Sequence, residues 1–124
     1  MSLLLKACPS FEPYWIEYLK DSYEPGDEQL LYIDLGEFSQ HLVRLFKEGN
    51  TSEVPVIFEV IVLLHTDGDN FVKEAATIGL LESIQNISGN NFIDPEVFSK
   101  YLGTESLNWW GRLNDFWSGK TTHV

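Results

Sequence analysis

The sequence predicts an all-α fold, a compact array of about 5–7 helices built from HEAT-like antiparallel helix pairs or packed as an irregular bundle. Apolar residues repeat at helical spacing along most of the chain, and capping residues, glycine and proline separate the repeating segments. The 124 residues, 44% of them hydrophobic, are enough to bury one core without a disulfide or a metal. We therefore predict a single domain, with an N-terminal helix and acidic connection in residues 1–29, a helical core in residues 30–118 and a tail in residues 119–124.

The first predicted helix begins after Pro9, with Ser10 as its cap. Its apolar stripe consists of Phe11, Trp15, Tyr18 and Leu19. Residues 21–28, named the acidic connection, follow this helix and combine turn-forming residues with four carboxylates, which predicts an exposed surface. The run from Leu30 to Ile33 is too short to have a decisive period, so it fits either a strand or a helical turn.

Two amphipathic helices are predicted in the next part of the chain. Asp34, followed three residues later by Glu37, resembles a capping box that opens a helix ending at Gly49. Thr51 or Ser52 is the predicted cap of the second helix, which has a proline in its first turn. Its predicted buried stripe contains Val54, Ile57, Val60, Ile61 and Leu64.

A central helix over residues 69–89 carries the strongest pattern. Asp69 or Asn70 can cap its start, and Gly89 can take the left-handed conformation that ends it. Apolar and small side chains cover well over half of its circumference, which predicts burial on several sides. Gly79 allows a neighbouring backbone to come close. The short loop before this helix makes it an antiparallel neighbour of the preceding one.

The last two helices are opened by Asp94 and by Thr104 or Ser106. The final helix carries three of the four tryptophans of the chain. Their amphipathic spacing favours packing over the open end of the core. In the alternative interpretation, Trp109 or Trp110 is an exposed anchor for a partner.

The charge of the chain indicates the chemistry of its partners. Nineteen acidic and eight basic residues give a net charge of -11, which argues against a broad surface for nucleic acid or anionic membrane and favours a basic protein partner. Acidity that serves only solubility is the alternative. The candidate partner-binding residues are Asp21, Glu24, Asp27 and Glu28 in the acidic connection, and Asp67, Asp69 and Glu74 around the start of the central helix.

Several patterns resemble sites for a metal but are incomplete. Residues 67–70 begin like a calcium loop, yet Val72 stands where that loop needs glycine and Ile78 where it needs glutamate, so we interpret the cluster as a helix cap. His41 lies one turn after Glu37, but two ligands are too few for a metal, and we predict an exposed histidine. No metal or cofactor is expected.

Catalysis has one candidate residue, Glu82, because a buried carboxyl has a raised pKa and can act as an acid or base. Glu82 lies on a narrow polar stripe with Gln85 and Asn86, which favours partial exposure. The sequence has no nucleophile elbow, Cys-x-x-Cys pair or glycine-rich dinucleotide loop. We predict a protein that is not an enzyme, with a ligand pocket near Glu82 as the alternative.

The compartment is predicted from the N-terminus and from cysteine usage. The apolar run that ends at Leu5 is shorter than the core of a signal peptide, and no stretch approaches a membrane span. A single cysteine, Cys8, excludes an internal disulfide. We therefore expect a soluble protein of the reducing cytoplasm.

Three segments resemble a known group of proteins: DLGEF at residues 34–38, KEAATIGLLESIQN at 73–86 and WWxxLNxFW at 109–117. They look like a family of small acidic helical bacterial proteins of largely unassigned function. Proteins of this kind also resemble immunity proteins of polymorphic toxin and contact-dependent inhibition systems. The resemblance implies a cytoplasmic antidote that blocks the active site of a toxin, and it carries no catalytic motif.

The preferred hypothesis is therefore an immunity protein that neutralises a basic, nuclease-type toxin by covering its active surface. Two alternatives stay open: a ligand-binding protein or enzyme with a pocket near Glu82, and a helical adaptor that docks a peptide in a groove between helices. The sequence names neither the partner nor the interface, and it leaves the oligomeric state open.

Overall fold

The computed structural model describes residues 2–24, 27, 30–117 and 119. Within these residues the chain forms seven α-helices and no strand, which confirms the predicted all-α fold. The α-helices are α1 (Ser2–Ala7), α2 (Glu12–Ser22), α3 (Leu31–Lys47), α4 (Val54–Asp67), α5 (Asn70–Glu74), α6 (Ser83–Asn90) and α7 (Thr104–Trp117). A π-helix, Ala75–Glu82, joins α5 to α6, and 3-10 helices occupy Pro9–Phe11 and Pro95–Tyr101.

The central rod, defined as α5, the π-helix and α6, runs without a break from Asn70 to Asn90. Asp69 caps it as predicted, because its carboxylate accepts the N–H of Val72 at 2.9 Å. The π-helix packs against α3, α4 and α7, so the predicted burial on several sides is confirmed. Of the two predicted arrangements, helices placed around one shared rod correspond to the irregular bundle.

Two details of the central rod differ from the prediction. The π-helix was not foreseen, and Gly89 does not end the helix, which continues to Asn90. The residue with positive φ near this end is Phe92, at 57°, and the Ile93 N–H reaches back to the Ser88 carbonyl. The chain therefore makes its turn three residues later than Gly89.

Gly79 faces side chains of α3 at close range. A Cβ at this position would lie 2.5 Å from Leu35 Cδ1 and 3.2 Å from Tyr32 Cδ1. The predicted close approach at Gly79 is thus made by side chains of α3, which occupy the space that any larger residue would need.

The start of α3 shows that the run from Leu30 to Ile33, which fitted either a strand or a helical turn, is helical from Leu31 onward. It also shows that the capping box predicted at Asp34 is wrong. The helix begins at Leu31, so residues 31–33 are helical. Asp34 therefore lies inside the first turn, where its N–H bonds to the Leu30 carbonyl, and its side chain is only 2% exposed. Its carboxylate accepts hydrogen bonds from Tyr18 and Tyr23, which lie earlier in the chain.

The serine and threonine caps predicted for α2 and α4 are also wrong. Phe11 and Glu53 occupy the cap positions of α2 and α4, without a side-chain hydrogen bond, and each of these helices has a proline in its first turn. Proline lacks an N–H and has a helical φ, so it suits this position without a cap. Ser10 bonds to His41 instead, and Ser106 lies inside α7, where it contacts His65.

One hydrophobic core connects the N-terminal segment to α7. Leu4, Phe11 and Trp15 belong to it, as do Trp110 and Leu113. The prediction that the tryptophan helix closes the core is therefore confirmed for these two residues of α7. The buried stripe of α4 also differs from the prediction, since Phe58 and His65 are fully buried while Val60 and Leu64 are only partly so.

Candidate partner-binding site

The predicted acidic residues lie on the surface wherever the structure describes them. Asp21, Glu24, Asp27, Asp67, Asp69 and Glu74 are all exposed. Glu28 lies outside the described residues. Two of these carboxylates also have local structural roles, because Asp27 accepts the N–H of Glu24 at 2.9 Å and Asp69 caps the central rod.

The Tyr23 hydroxyl contacts α3 and the residue that precedes it. This hydroxyl donates to Asp34 Oδ1 at 2.7 Å and accepts the N–H of Leu30 at 2.8 Å. Tyr18 donates to the same carboxylate oxygen at 2.8 Å. Burial, followed by the hydrogen bond to Asp34, raises the pKa of Tyr18, so this hydroxyl remains protonated. Tyr23, within the acidic connection, is therefore fixed against the start of α3.

An apolar groove lies between α1, α3, α4 and the central rod. It is a cavity of about 200 Å³ lined by Leu3, Leu4, Leu31, Leu35, Leu64, Phe71, Val72, Ala75, Ala76 and Leu80. Residues 67–74 border it, because Phe71 and Val72 line it and Asp69 accepts the N–H of Val72 at 2.9 Å. Phe71 is 62% exposed. The structure thus places one of the two predicted acidic segments, residues 67–74, beside an apolar surface.

A polar cleft of about 350 Å³ lies on another side of α5. It is lined by Asn70, Lys73, Glu74, Thr77, Ile78 and Trp109. Two of the predicted site residues, Glu74 and Trp109, therefore share one cleft. Lys73 pairs with Glu105 at 3.6 Å, and the guanidinium of Arg112 lies 4.7 Å from the Trp109 ring centroid. Helix α5 forms a ridge between the apolar groove and this polar cleft.

The Trp110 side chain does not have the exposure that an anchor needs. It is 2% exposed, and its indole N–H donates to Glu96 Oε1 at 3.1 Å. The same carboxylate oxygen accepts from Asn114 at 2.8 Å. Trp110 is therefore a core residue, whereas Trp109, the other predicted anchor, lines the polar cleft.

His41 is buried, contrary to the prediction of an exposed histidine. It is 2% exposed, with Arg44 Nη2 at 2.6 Å from Nδ1 and Ser10 Oγ at 2.8 Å from Nε2. Because arginine only donates, Nδ1 must accept, and the neutral ring carries its proton on Nε2. His41 then donates to Ser10, so it is not placed to take a proton from that hydroxyl as the base of a catalytic dyad would.

The groups around Ser10 also lack an activated nucleophile. Burial raises the pKa of the Cys8 thiol to about 11, so the thiol stays protonated. Burial opposes the ionisation of Glu53, but hydrogen bonds from Ser10 outweigh it and lower the pKa of this carboxyl. Glu53 Oε2 accepts the N–H of Ser10 at 3.2 Å. The cluster thus connects the first 3-10 helix with α3 and α4, and its members are too far apart in sequence to be paired by any local pattern.

His65 forms a second buried network, behind the polar cleft. Thr77 Oγ1 donates to the Lys73 carbonyl, so it accepts from His65 Nε2, 3.0 Å away. Ser106 Oγ lies 2.6 Å from Nδ1 and donates to it. Burial lowers the pKa of His65, which is fully enclosed and held neutral. The network joins α4, the π-helix and α7.

Comparison with known proteins gives one finding. The model of a family described as a domain of unknown function, DUF7674, matches residues 1–118. The chain belongs to the DUF7674 family. No curated protein and no solved structure matches it.

This DUF7674 domain has a cavity close to the position at which a pocket near Glu82 was predicted. A cavity of about 280 Å³ between α6 and α7 is lined in part by Gln85, Asn86 and Trp117. Glu82 itself is half-buried and does not line this cavity, the apolar groove or the polar cleft. Gln85 donates its amide to the Trp110 carbonyl and to Asn114 Oδ1, so it serves to tie the rod to α7.

The described part of the domain has neither a metal-binding cluster nor a membrane-spanning helix. No group of three or more histidine, cysteine, aspartate or glutamate side chains lies together in a way that could hold a metal ion. Among the same residues, no helix has both the length and the apolar character that crossing a bilayer requires.

Proposed function

We propose that this DUF7674 protein is a non-enzymatic, cytoplasmic immunity protein that binds a basic, nuclease-type toxin and covers its active surface. One observation carries the proposal: exposed carboxylates of residues 67–74 lie beside an apolar groove. Protein interfaces commonly have an apolar centre within a polar or charged rim. The net charge of -11 adds long-range attraction to a basic partner.

The electrostatic part of this function follows from what a nuclease must bind. A surface that contacts phosphate is basic, so an acidic protein is steered to it and competes there with nucleic acid. The buried clusters around His41 and His65 are satisfied by hydrogen bonds within the chain, which supports a role in holding the scaffold together. The absence of an activated nucleophile at Ser10 and Cys8 also favours binding over catalysis.

The test is inhibition of a basic nuclease domain encoded beside this chain in its host genome. The purified protein is titrated against the nuclease on a fluorogenic nucleic-acid substrate, at low and at high salt. We expect stoichiometric inhibition that weakens as salt rises. A nuclease that remains fully active with excess protein at low salt would refute the proposal.

Charge-reversal variants locate the surface that inhibits. One double variant carries Asp21→Lys and Glu24→Lys, and another carries Asp67→Lys and Glu74→Lys, which leaves the cap Asp69 in place. Each should weaken inhibition about tenfold or more, because a lysine that faces the basic toxin costs at least about 1.4 kcal/mol of binding free energy. The matched control, Glu48→Lys with Glu59→Lys, makes the same change in net charge at exposed positions elsewhere and should inhibit normally. Equal weakening in all three would show a nonspecific charge effect.

A helical adaptor is the second candidate, and the apolar groove is the observation that favours it. An adaptor would dock an extended or helical peptide in this groove without inhibiting an enzyme. The nuclease titration separates the two functions, because an adaptor leaves the nuclease active.

A further inference from the structure

We propose that the apolar groove receives one bulky apolar side chain, of leucine or phenylalanine size, from a partner segment that carries lysine or arginine beside it. This inference deepens the proposed function and rests on its basic partner. It adds the central contact of the interface, the part that charge alone does not supply. The occupant is a segment of a basic protein.

The shape of the groove sets the size of the side chain. Leucine side chains from α1 and α3 and the ring of Phe71 form its walls, while Ala75 and Ala76 form a floor on the central rod. Both alanines are short and buried, 8% and 1% exposed, so the floor leaves room above it. The resulting volume is about 200 Å³. An apolar cavity of about 150 Å³ is enough to hold benzene, so this groove has room for one large side chain.

The exposure of the rim indicates that the groove is open to a partner. Phe71 is 62% exposed and Leu3 is 48% exposed, and both side chains line the groove. Large apolar side chains exposed beside an unfilled apolar cavity are the features of a binding hot spot. Burying a leucine or phenylalanine side chain there should raise affinity about 10-fold to 100-fold.

The charges around the groove select the flanking residues of the partner. Asp69 accepts the N–H of Val72, which lines the groove, and Asp67 is exposed two residues earlier in the chain. Lys73 is paired with Glu105 and lines the polar cleft together with Glu74, so both of these charges belong to the cleft. A second copy of the chain would bring the same carboxylates together and be repelled, whereas a basic segment would be attracted.

The experiment uses the full chain and three synthetic helical peptides, with binding measured by fluorescence anisotropy at low salt. The first peptide is amphipathic, with leucine on one face and lysine on the other. The second has serine in place of leucine, and the third has glutamate in place of lysine. We expect the leucine and lysine peptide to bind at least about tenfold more tightly than either of the others.

Two groove variants and one control assign this binding to the groove. Phe71→Ala removes an exposed wall, and Ala75→Leu fills the space above the floor. Each should weaken binding of the leucine and lysine peptide about tenfold or more and leave the serine and lysine peptide unaffected. The control Phe92→Ala removes an equally large ring that is 99% exposed outside the groove, and it should bind as the unaltered chain does. Circular dichroism verifies that each variant is folded.

The outcomes separate this inference from the proposed function. Unchanged peptide affinity in folded Phe71→Ala and Ala75→Leu, or equal affinity for the serine peptide, would overturn the inference even if the nuclease is inhibited. Groove-dependent binding of the peptide by a protein that inhibits no nuclease would keep the inference and reject the immunity function.

Discussion

The hydroxyl of Tyr23 is predicted to hold the acidic connection in place, and Tyr23→Phe removes that hydroxyl while keeping the ring. The lost contacts are a hydrogen bond to Asp34 at 2.7 Å and one from the Leu30 N–H at 2.8 Å. A hydrogen bond to a charged group contributes about 1.5–3 kcal/mol. Tyr18 still donates to the same oxygen, so we expect the free energy of unfolding to fall by the lower value of this range, about 1.5 kcal/mol.

The matched variants show whether this reasoning is correct. Tyr18→Phe should cost a similar free energy of unfolding, because it removes the other donor to Asp34. Removing both hydroxyls leaves the Asp34 carboxylate, which is 2% exposed, without either tyrosine partner. This double change should lower the free energy of unfolding by about 3–5 kcal/mol. The control Tyr14→Phe, at a position that is 54% exposed, should change stability by less than about 0.5 kcal/mol.

Urea unfolding followed by circular dichroism measures these stabilities, and amide hydrogen exchange locates the effect. Only the Tyr23→Phe change should release protection of the Leu30 N–H, because Tyr18 makes no contact with it. Only this change should also weaken inhibition of the nuclease. A Tyr23→Phe protein with unaltered stability and unaltered exchange at Leu30 would refute the reasoning.

Three further predictions follow from buried groups. Burial lowers the pKa of His41 and of His65 below 6.5, so the unfolded chain binds more protons and urea titrations should show stability falling as the pH drops below 6.5. Stability that is flat between pH 7.5 and 5.5 would contradict this. Gly79→Ala should destabilise the protein by about 1–3 kcal/mol because its Cβ would strike a leucine of α3, whereas Gly111→Ala, with open space around it, should stabilise it by up to about 1 kcal/mol. Cys8, fully buried and with its pKa raised to about 11, should react with a thiol reagent only on unfolding, and rapid labelling of the native protein would exclude the enclosed site.

The helices could be predicted from the sequence because their signals are local. Apolar spacing identifies the faces of α3 and of the central rod, and the cap at Asp69 needs only the three residues that follow it. The capping box at Asp34 failed for the opposite reason. Its carboxylate is held by tyrosines 11 and 16 residues earlier in the chain, and no local pattern contains that information.

The site was predictable only in part, for the same physical reason. Charge and composition identify the two acidic segments, since carboxylates that follow each other in turn-forming sequences are mostly on the surface. The apolar groove is formed by residues of α1, α3, α4 and the rod, which meet only in the folded protein. The buried position of His41 likewise depends on Ser10, which lies 31 residues earlier.

Small residues of the π-helix set both the packing of the core and the shape of the site. Gly79 lets Leu35 come close to the rod, and Ala75 and Ala76 leave the floor of the groove low. These effects are separable, because an added Cβ at Gly79 meets α3 while a larger side chain at Ala75 extends into the groove. If Gly79 serves the scaffold, Gly79→Ala should lower stability more than it lowers partner affinity. If Ala75 serves binding, Ala75→Leu should lower partner affinity more than it lowers stability. The π-helix, a rare element that often marks functional sites, contributes residues to both the groove and the polar cleft. Its small residues therefore account for the unfilled floor of the groove.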